Sequence, residues 1–158
     1  MRKHFGEIHL RTWRQDGGNI GMVKHLLRAR ATITGVAGDD TAIHVACELG
    51  YLNVAKELVK LGADPNALGF SGVTPIYYAS AHGKLKVVEW LLSLDGLQFD
   101  TPKRNGCTPL FSACQNGYVD SVSRLIQTGA KCPSAQYPRY ITPRCSKCQR
   151  SRRCCAAV

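Results

Sequence analysis

The protein has 158 residues, of which 44% are hydrophobic and 20% are charged, and this composition argues against wholesale disorder. The formal net charge of +10 lies at the two ends: residues 1–30 carry +5, residues 31–130 carry −2 and residues 131–158 carry +7. The longest uncharged run, residues 65–83, is interrupted by glycine, proline and polar residues, so no segment predicts a membrane span. No apolar stretch follows Arg2 and Lys3, so we expect no secretory signal peptide and a soluble, cytoplasmic protein.

One segment recurs along the middle of the chain. It is TAIHVACELG at residues 41–50, TPIYYASAHG at residues 74–83 and TPLFSACQNG at residues 108–117, with spacings of 33 and 34 residues between the threonines. After each copy comes an apolar pair, and then a small turn that contains glycine. A period of this length is the signature of a repeat architecture.

Each unit predicts two helices, taken here in chain order. The first helix begins after threonine, whose hydroxyl can cap it, and proline suits the first helical position in two of the three copies. Its narrow apolar stripe is Ile43, Ala46 and Cys47 in the first copy, and a glycine ends it. The second helix presents apolar residues such as Val54 and Leu58. Such a pair cannot bury its apolar face alone, so we expect the units to stack.

These residues resemble the ankyrin repeat. The openings Gly72-Val73-Thr74-Pro75 and Gly106-Cys107-Thr108-Pro109 are similar to the family pattern, and so is the closing turn of residues 62–67, Gly-Ala-Asp-Pro-Asn-Ala. The resemblance covers residues 16–135. It implies an all-α fold, an ankyrin-repeat solenoid of stacked helix-turn-helix units with connecting β-hairpin loops.

The pattern weakens towards both ends. Residues 1–37 are expected to form a degenerate N-terminal repeat or cap, residues 38–135 three ankyrin-like repeats, and residues 136–158 a basic, cysteine-rich tail that is a decayed further repeat. In that tail Arg144 and Lys147 replace a core leucine and a core alanine of the preceding unit. Burying an unpaired charge is costly, so this segment forms either a polar cap or a loose end.

The resemblance implies that the hairpin tips and the exposed face of each first helix bind a partner protein. Phe70, an exposed aromatic residue at a tip, is the best single candidate for a binding hot spot, although it could instead pack on Tyr77 or Tyr78. His44 is expected to bind backbone between repeats rather than to act in catalysis or on a metal. The predicted partner-binding residues are Asp40, Glu48, Leu49, Phe70, Ser71, Val73, Ala81, His82, Arg104, Asn105, Gln115 and Asn116.

The tail offers three further chemistries. Cys145, Cys148, Cys154 and Cys155 could bind zinc, but the gap between the two pairs is shorter than in usual structural sites. The last four residues have the form C-a-a-X, so Cys155 is a possible lipidation site whose prenyl chain would act together with the basic run before it. The charge of +7 could also bind nucleic acid.

We therefore expect a non-enzymatic protein–protein interaction module or adaptor without cofactor, metal or small-molecule substrate. No nucleophile constellation or phosphate-binding glycine loop is present in the sequence. The alternatives are tethering of the chain to a membrane or to nucleic acid by its tail, and a fragment of a larger ankyrin-containing protein.

Overall fold

The computed structural model describes residues 40–130. This part of the chain contains six α-helices and one short 3-10 turn, Phe70–Gly72, and no β-strand. None of these helices is long and apolar enough to cross a membrane. The all-α fold is confirmed. The helices are α1 (Ala42–Leu49), α2 (Leu52–Lys60), α3 (Pro75–Ala81), α4 (Leu85–Leu92), α5 (Pro109–Asn116) and α6 (Val119–Gln127).

The first helix of each unit begins where the sequence predicts. Thr41, Thr74 and Thr108 are extended and precede the first helical residue, which is proline in α3 and α5. The Thr108 hydroxyl accepts a hydrogen bond of 3.2 Å from the Phe111 backbone N–H, so it caps α5. The Thr74 hydroxyl is buried and has no hydrogen-bond partner among the described residues.

Glycines allow the sharp turn between the two helices of a unit, and two of them also allow close packing between units. Gly50 ends α1 with φ +84°, and Gly83 follows α3 with φ +63°. A side chain on Gly50 would lie 2.8 Å from Lys84 Cδ, and one on Gly83 would overlap the Tyr118 ring. Lys84 and Tyr118 belong to the following unit, so glycine at these turns lets neighbouring units approach.

The units stack in two layers. α1, α3 and α5 pack side by side as the inner layer, and α2, α4 and α6 form the outer layer. The fully buried leucines Leu58, Leu91 and Leu125 occupy equivalent positions in the outer helices and join one continuous core. The alanines Ala46, Ala79 and Ala113 do the same in the inner helices. These small side chains let the inner helices approach closely, as the sequence pattern predicts.

Each of the two hairpin loops that connect the units is closed by a backbone hydrogen bond across the loop. We call residues 66–73 the second finger and residues 100–107 the third finger. In the second finger, Gly69 N–H donates to Val73 O at 2.8 Å, and in the third, Lys103 N–H donates to Cys107 O at 3.0 Å. Each finger thus makes a hairpin turn, although neither contains a regular strand.

Candidate functional site

The tip of the second finger is a tight turn that presents Phe70 to solvent. Ser71 has φ +59° and Gly72 has φ +72°, and Val73 N–H donates to Phe70 O at 3.3 Å. Phe70 is 67% exposed, so its ring is not buried against Tyr77 or Tyr78. The tip therefore presents a large apolar side chain to water.

The third finger lies directly beside the second. Arg104 N–H donates to Ser71 O at 3.0 Å, which links the two tips through backbone. Asn105 Oδ1 accepts from Cys107 N–H at 3.1 Å and thereby stabilises its own turn. Lys103 Nζ lies 5.0 Å from the centre of the Tyr77 ring, a cation–π contact. Arg104 and Asn105 are both exposed, so this tip offers polar and basic groups.

Asp40 is predicted to contact a partner, and its carboxylate is already engaged within the protein. One oxygen accepts from Phe70 N–H at 3.2 Å, and the other accepts from the Tyr78 hydroxyl at 2.8 Å. Asp40 is half-buried as a result. In this structure it positions the second finger and α3 relative to the first unit.

His44 joins the first and second units through a buried hydrogen-bond network. Its Nδ1 accepts from Thr41 N–H at 3.0 Å, so the ring proton is on Nε2. Nε2 lies 2.9 Å from Ala67 O and 3.0 Å from Val73 O and donates to these carbonyls. Burial lowers the pKa of His44, although the nearby Asp40 charge and the two backbone carbonyls act in the opposite direction. The predicted backbone-binding role is the one that the structure shows.

The remaining predicted residues lie on the inner helices or at their ends, except Ser71, which is in the second finger. His82 and Asn116 are exposed, and each also contacts other residues of the protein through its side chain. His82 Nδ1 lies 3.0 Å from Tyr78 O, its Nε2 lies 3.9 Å from Glu48 Oε1, and Asn116 Nδ2 donates to Ala81 O at 2.8 Å. Gln115 is exposed, whereas Leu49 and Ala81 are half-buried, as are Glu48 and Ser71.

Val73 is predicted to contact a partner, but its side chain is buried. It is only 7% exposed, and its carbonyl accepts hydrogen bonds from Gly69 N–H and from the His44 ring. The sequence analysis also missed Leu68, which is 55% exposed. Leu68 stands two residues before Phe70, and alternation along an extended finger would have predicted its exposure.

The remaining predictions fall on other parts of the chain. The N-terminal cap of residues 1–37, the tail of residues 136–158 and the possible lipidation site Cys155 lie outside the described residues. Within residues 40–130 no group of three or more His, Cys, Asp or Glu side chains could hold a metal ion. Of the described cysteines, Cys47 is buried, and burial raises the pKa of its thiol.

Comparison with known families agrees with this architecture. The model of the family described as ankyrin repeats (3 copies) matches residues 14–102 and 69–136. The chain belongs to the ankyrin-repeat family. Ankyrin repeats indicate a protein–protein interaction module, and the family is generally non-enzymatic.

Individual relatives differ widely in what surrounds their repeats. Ankyrin repeat domain-containing protein 63 of Mus musculus is 35% identical over 88 residues, 54% of this chain and 23% of that protein. Alpha-latroinsectotoxin-Lt1a of Latrodectus tredecimguttatus is 30% identical over 92 residues, 58% of this chain and 6% of the toxin. A putative palmitoyltransferase of Danio rerio is 28% identical over 110 residues, 68% of this chain and 17% of that protein. The chain thus spans less than a quarter of each of these relatives.

Proposed function

We propose that this chain is a non-enzymatic, cytoplasmic adaptor that binds a partner protein through its finger tips and the concave face of its inner helices. One observation supports the proposal. Exposed side chains that take no part in core packing lie on a surface whose backbone is held by hydrogen bonds between the units. Phe70, Arg104 and Gln115 are exposed at three points of this surface. Aromatic residues, phenylalanine included, and arginine are enriched in protein–protein interfaces.

The rigidity of the surface supports recognition by a preformed site. The two fingers are joined by the hydrogen bond from Arg104 N–H to Ser71 O, and α3 and α5 by the bond from Asn116 to Ala81 O. Asp40 ties the first unit to the second through Phe70 and Tyr78. A surface that needs little ordering on binding loses little conformational entropy, so more of the contact energy appears as affinity.

Affinity capture from nuclease-treated lysate tests the proposal. The bait is the full chain, a Phe70→Ala/Arg104→Ala variant, or a control in which an apolar and a basic residue of the outer helix region are removed, Leu61→Ala/Lys56→Ala. We expect a protein partner that is retained by the full chain and the control and lost from the tip variant. Equal retention by both double variants would contradict binding at the tips.

A tail-directed function is the second candidate, because residues 131–158 carry +7 and no acidic residue. Prenylation at Cys155 with the basic run would tether the chain to a membrane, and the same charge would attract nucleic acid. A chain of residues 1–135 separates this candidate in the capture experiment. Retention that follows the tail alone, or that disappears with nuclease, would favour the tail over the groove.

A third candidate function follows from the small part of each relative's length that this chain matches. A chain that corresponds to less than a quarter of each relative could be the interaction module of a larger ankyrin-containing protein. In that case the groove still binds a partner, and the remainder of the larger protein determines what the binding achieves. The size of the endogenous protein on an immunoblot distinguishes this case.

A further inference from the structure

Two large apolar side chains are exposed on the second finger. Leu68 is 55% exposed and Phe70 is 67% exposed. Gly69 between them is extended, with φ −90° and ψ −156°, and successive side chains of an extended segment point to opposite sides. A side chain on Gly69 would overlap Asp40 Oδ1 and approach His44 Nε2 to 3.1 Å. The Gly69 position thus faces the first unit, and Leu68 and Phe70, one residue to either side of it, are exposed. We call Leu68 and Phe70 the apolar patch.

A basic side chain borders this patch. Arg104 is exposed, and among residues 40–130 its guanidinium forms no ion pair. A carbon added to Gly72 would lie 3.7 Å from Arg104 Cγ, so the arginine stem runs alongside the second finger. The carboxylate of Asp40, at the other side of this finger, is already bound by Phe70 N–H and the Tyr78 hydroxyl. The unmatched charge beside the patch is therefore positive.

We propose that Leu68, Phe70 and Arg104 form a subsite for an extended peptide segment of a partner protein, one that carries an apolar side chain and, close to it, a carboxylate. This inference rests on the proposed function and specifies the partner's chemistry. The apolar side chain would cover Leu68 and Phe70. The carboxylate would accept two hydrogen bonds from the Arg104 guanidinium, whose planar fork suits that geometry.

The spacing of the two parts fits an extended ligand. The hydrogen bond from Arg104 N–H to Ser71 O holds the two tips side by side. In an extended peptide, side chains two residues apart point to the same side and lie about 7 Å from each other. An apolar residue and an acidic residue at positions i and i+2 would thus reach neighbouring tips.

The charge distribution favours a peptide over nucleic acid at this subsite. Residues 31–130 carry a net charge of −2, and Lys103, the nearest other cation of the third finger, lies over the Tyr77 ring. Binding of a polyanion by counterion release needs several basic groups along one surface. The Arg104 guanidinium, which forms no ion pair within residues 40–130, and the apolar patch beside it fit one carboxylate and one apolar side chain.

Selection from a displayed library of short random peptides tests the inference with the full chain as bait. The baits are the wild type, Arg104→Glu, Phe70→Ser and a matched control, Lys56→Glu, which makes the same charge change on the exposed face of α2. Circular dichroism establishes that each variant is folded. Affinities of the enriched peptides are then measured by fluorescence anisotropy at low and at physiological salt.

We expect the wild type and Lys56→Glu to enrich the same peptides, each with an apolar residue and an Asp or Glu within a few positions. Arg104→Glu should bind these peptides at least about tenfold more weakly and select Lys or Arg in place of the acid. Phe70→Ser should keep the preference for an acid and lose the preference for an apolar residue. Wild-type affinity should fall as salt is raised.

Enriched peptides without an acidic residue, or with unchanged affinity for Arg104→Glu, would overturn the subsite. If such peptides lose affinity when Gln115 and Glu48 are replaced by alanine, the concave groove still binds and the proposed function survives. If the wild type enriches no peptide above the level of the uncoated support, both the subsite and groove-based peptide recognition fail.

Discussion

The two interfaces between the three units share one apolar core but differ in their polar contacts. Between the first and second units, the buried His44 ring connects Thr41 N–H to two carbonyls of the second finger. Between the second and third units, the equivalent residue is Tyr77, which contacts Lys103 through its ring. An exposed ion pair between Arg124 and Glu89, 3.2 Å apart, adds to the second interface.

Units with the same repeat pattern can therefore be joined by a buried hydrogen-bond network at one interface and by an exposed ion pair and a cation–π contact at the next. Hydrogen bonds of the buried His44 network cannot be replaced by water without rearrangement, so loss of the ring leaves buried groups unsatisfied. Exposed ion pairs contribute about 0–1 kcal/mol, and cation–π contacts contribute from about 0.5 kcal/mol at exposed sites to about 2 kcal/mol when they are desolvated. We therefore expect the first interface to depend strongly on one side chain and on pH, and the second to depend mainly on apolar packing.

The largest effect is expected at Leu91, in the unit that both interfaces share. Leu91 is fully buried. Leu91→Ala should lower the free energy of unfolding by about 2–5 kcal/mol and unfold a large fraction of the protein, because it leaves a cavity between the stacked outer helices. Urea unfolding followed by circular dichroism measures the change, with Leu68→Ala as the exposed control. An unchanged midpoint for Leu91→Ala would contradict the stacked core.

A smaller loss is expected when His44 at the first interface is replaced by an aromatic ring without nitrogen atoms. His44→Phe removes the acceptor for Thr41 N–H and the donor to Ala67 O and Val73 O. We expect a loss of about 1–3 kcal/mol from the unsatisfied groups. Tyr77→Phe, which keeps the ring at the second interface, should change stability much less. Equal losses in the two variants would abolish the distinction between the interfaces.

The same histidine predicts a dependence of stability on pH. Because burial lowers the pKa of His44 below 6.5 in the folded state, the unfolded chain takes up a proton first as the pH falls. This part of the stability is complete above pH 6.5 and is lost as the pH decreases towards the folded-state pKa. Urea midpoints measured across this range should fall with pH in the wild type, and less steeply in His44→Phe. Parallel curves would exclude His44 as the source.

Replacing one turn glycine at each interface by alanine compares how much free space the two interfaces leave for a side chain. Gly50→Ala and Gly83→Ala both place a side chain at positive φ, which costs about 1–2 kcal/mol. Gly83→Ala should be the more destabilising, because the Tyr118 ring occupies the space, whereas the flexible Lys84 stem beside Gly50 can move. Thermal unfolding of the two variants tests the order, and a larger loss for Gly50→Ala would contradict it.

The helix pairs, their starts at Thr41, Thr74 and Thr108 and their apolar rows were predictable because each is a local pattern repeated at one period. Phe70 was predictable as an exposed tip residue for the same reason. The hydrogen bond between the His44 ring and Val73 O joins residues 29 positions apart along the chain, and a local pattern does not reveal which carbonyls such a contact reaches or that Val73 is buried. The engagement of Asp40 by Tyr78 depends likewise on a residue of the next unit.

The smallest expected effect concerns one polar atom in α3, the helix that packs against both of its neighbours. The Ser80 hydroxyl is buried and has no hydrogen-bond partner within residues 40–130, while the equivalent position in α1 is the buried Cys47. A thiol behaves as a small apolar group, so Ser80→Cys should raise the free energy of unfolding by about 1 kcal/mol and Cys47→Ser should lower it by a similar amount. Urea unfolding of both single variants measures these opposite shifts. A loss of stability in Ser80→Cys would mean that the hydroxyl finds a partner in solution, and the two inner helices would then differ in this contact as well.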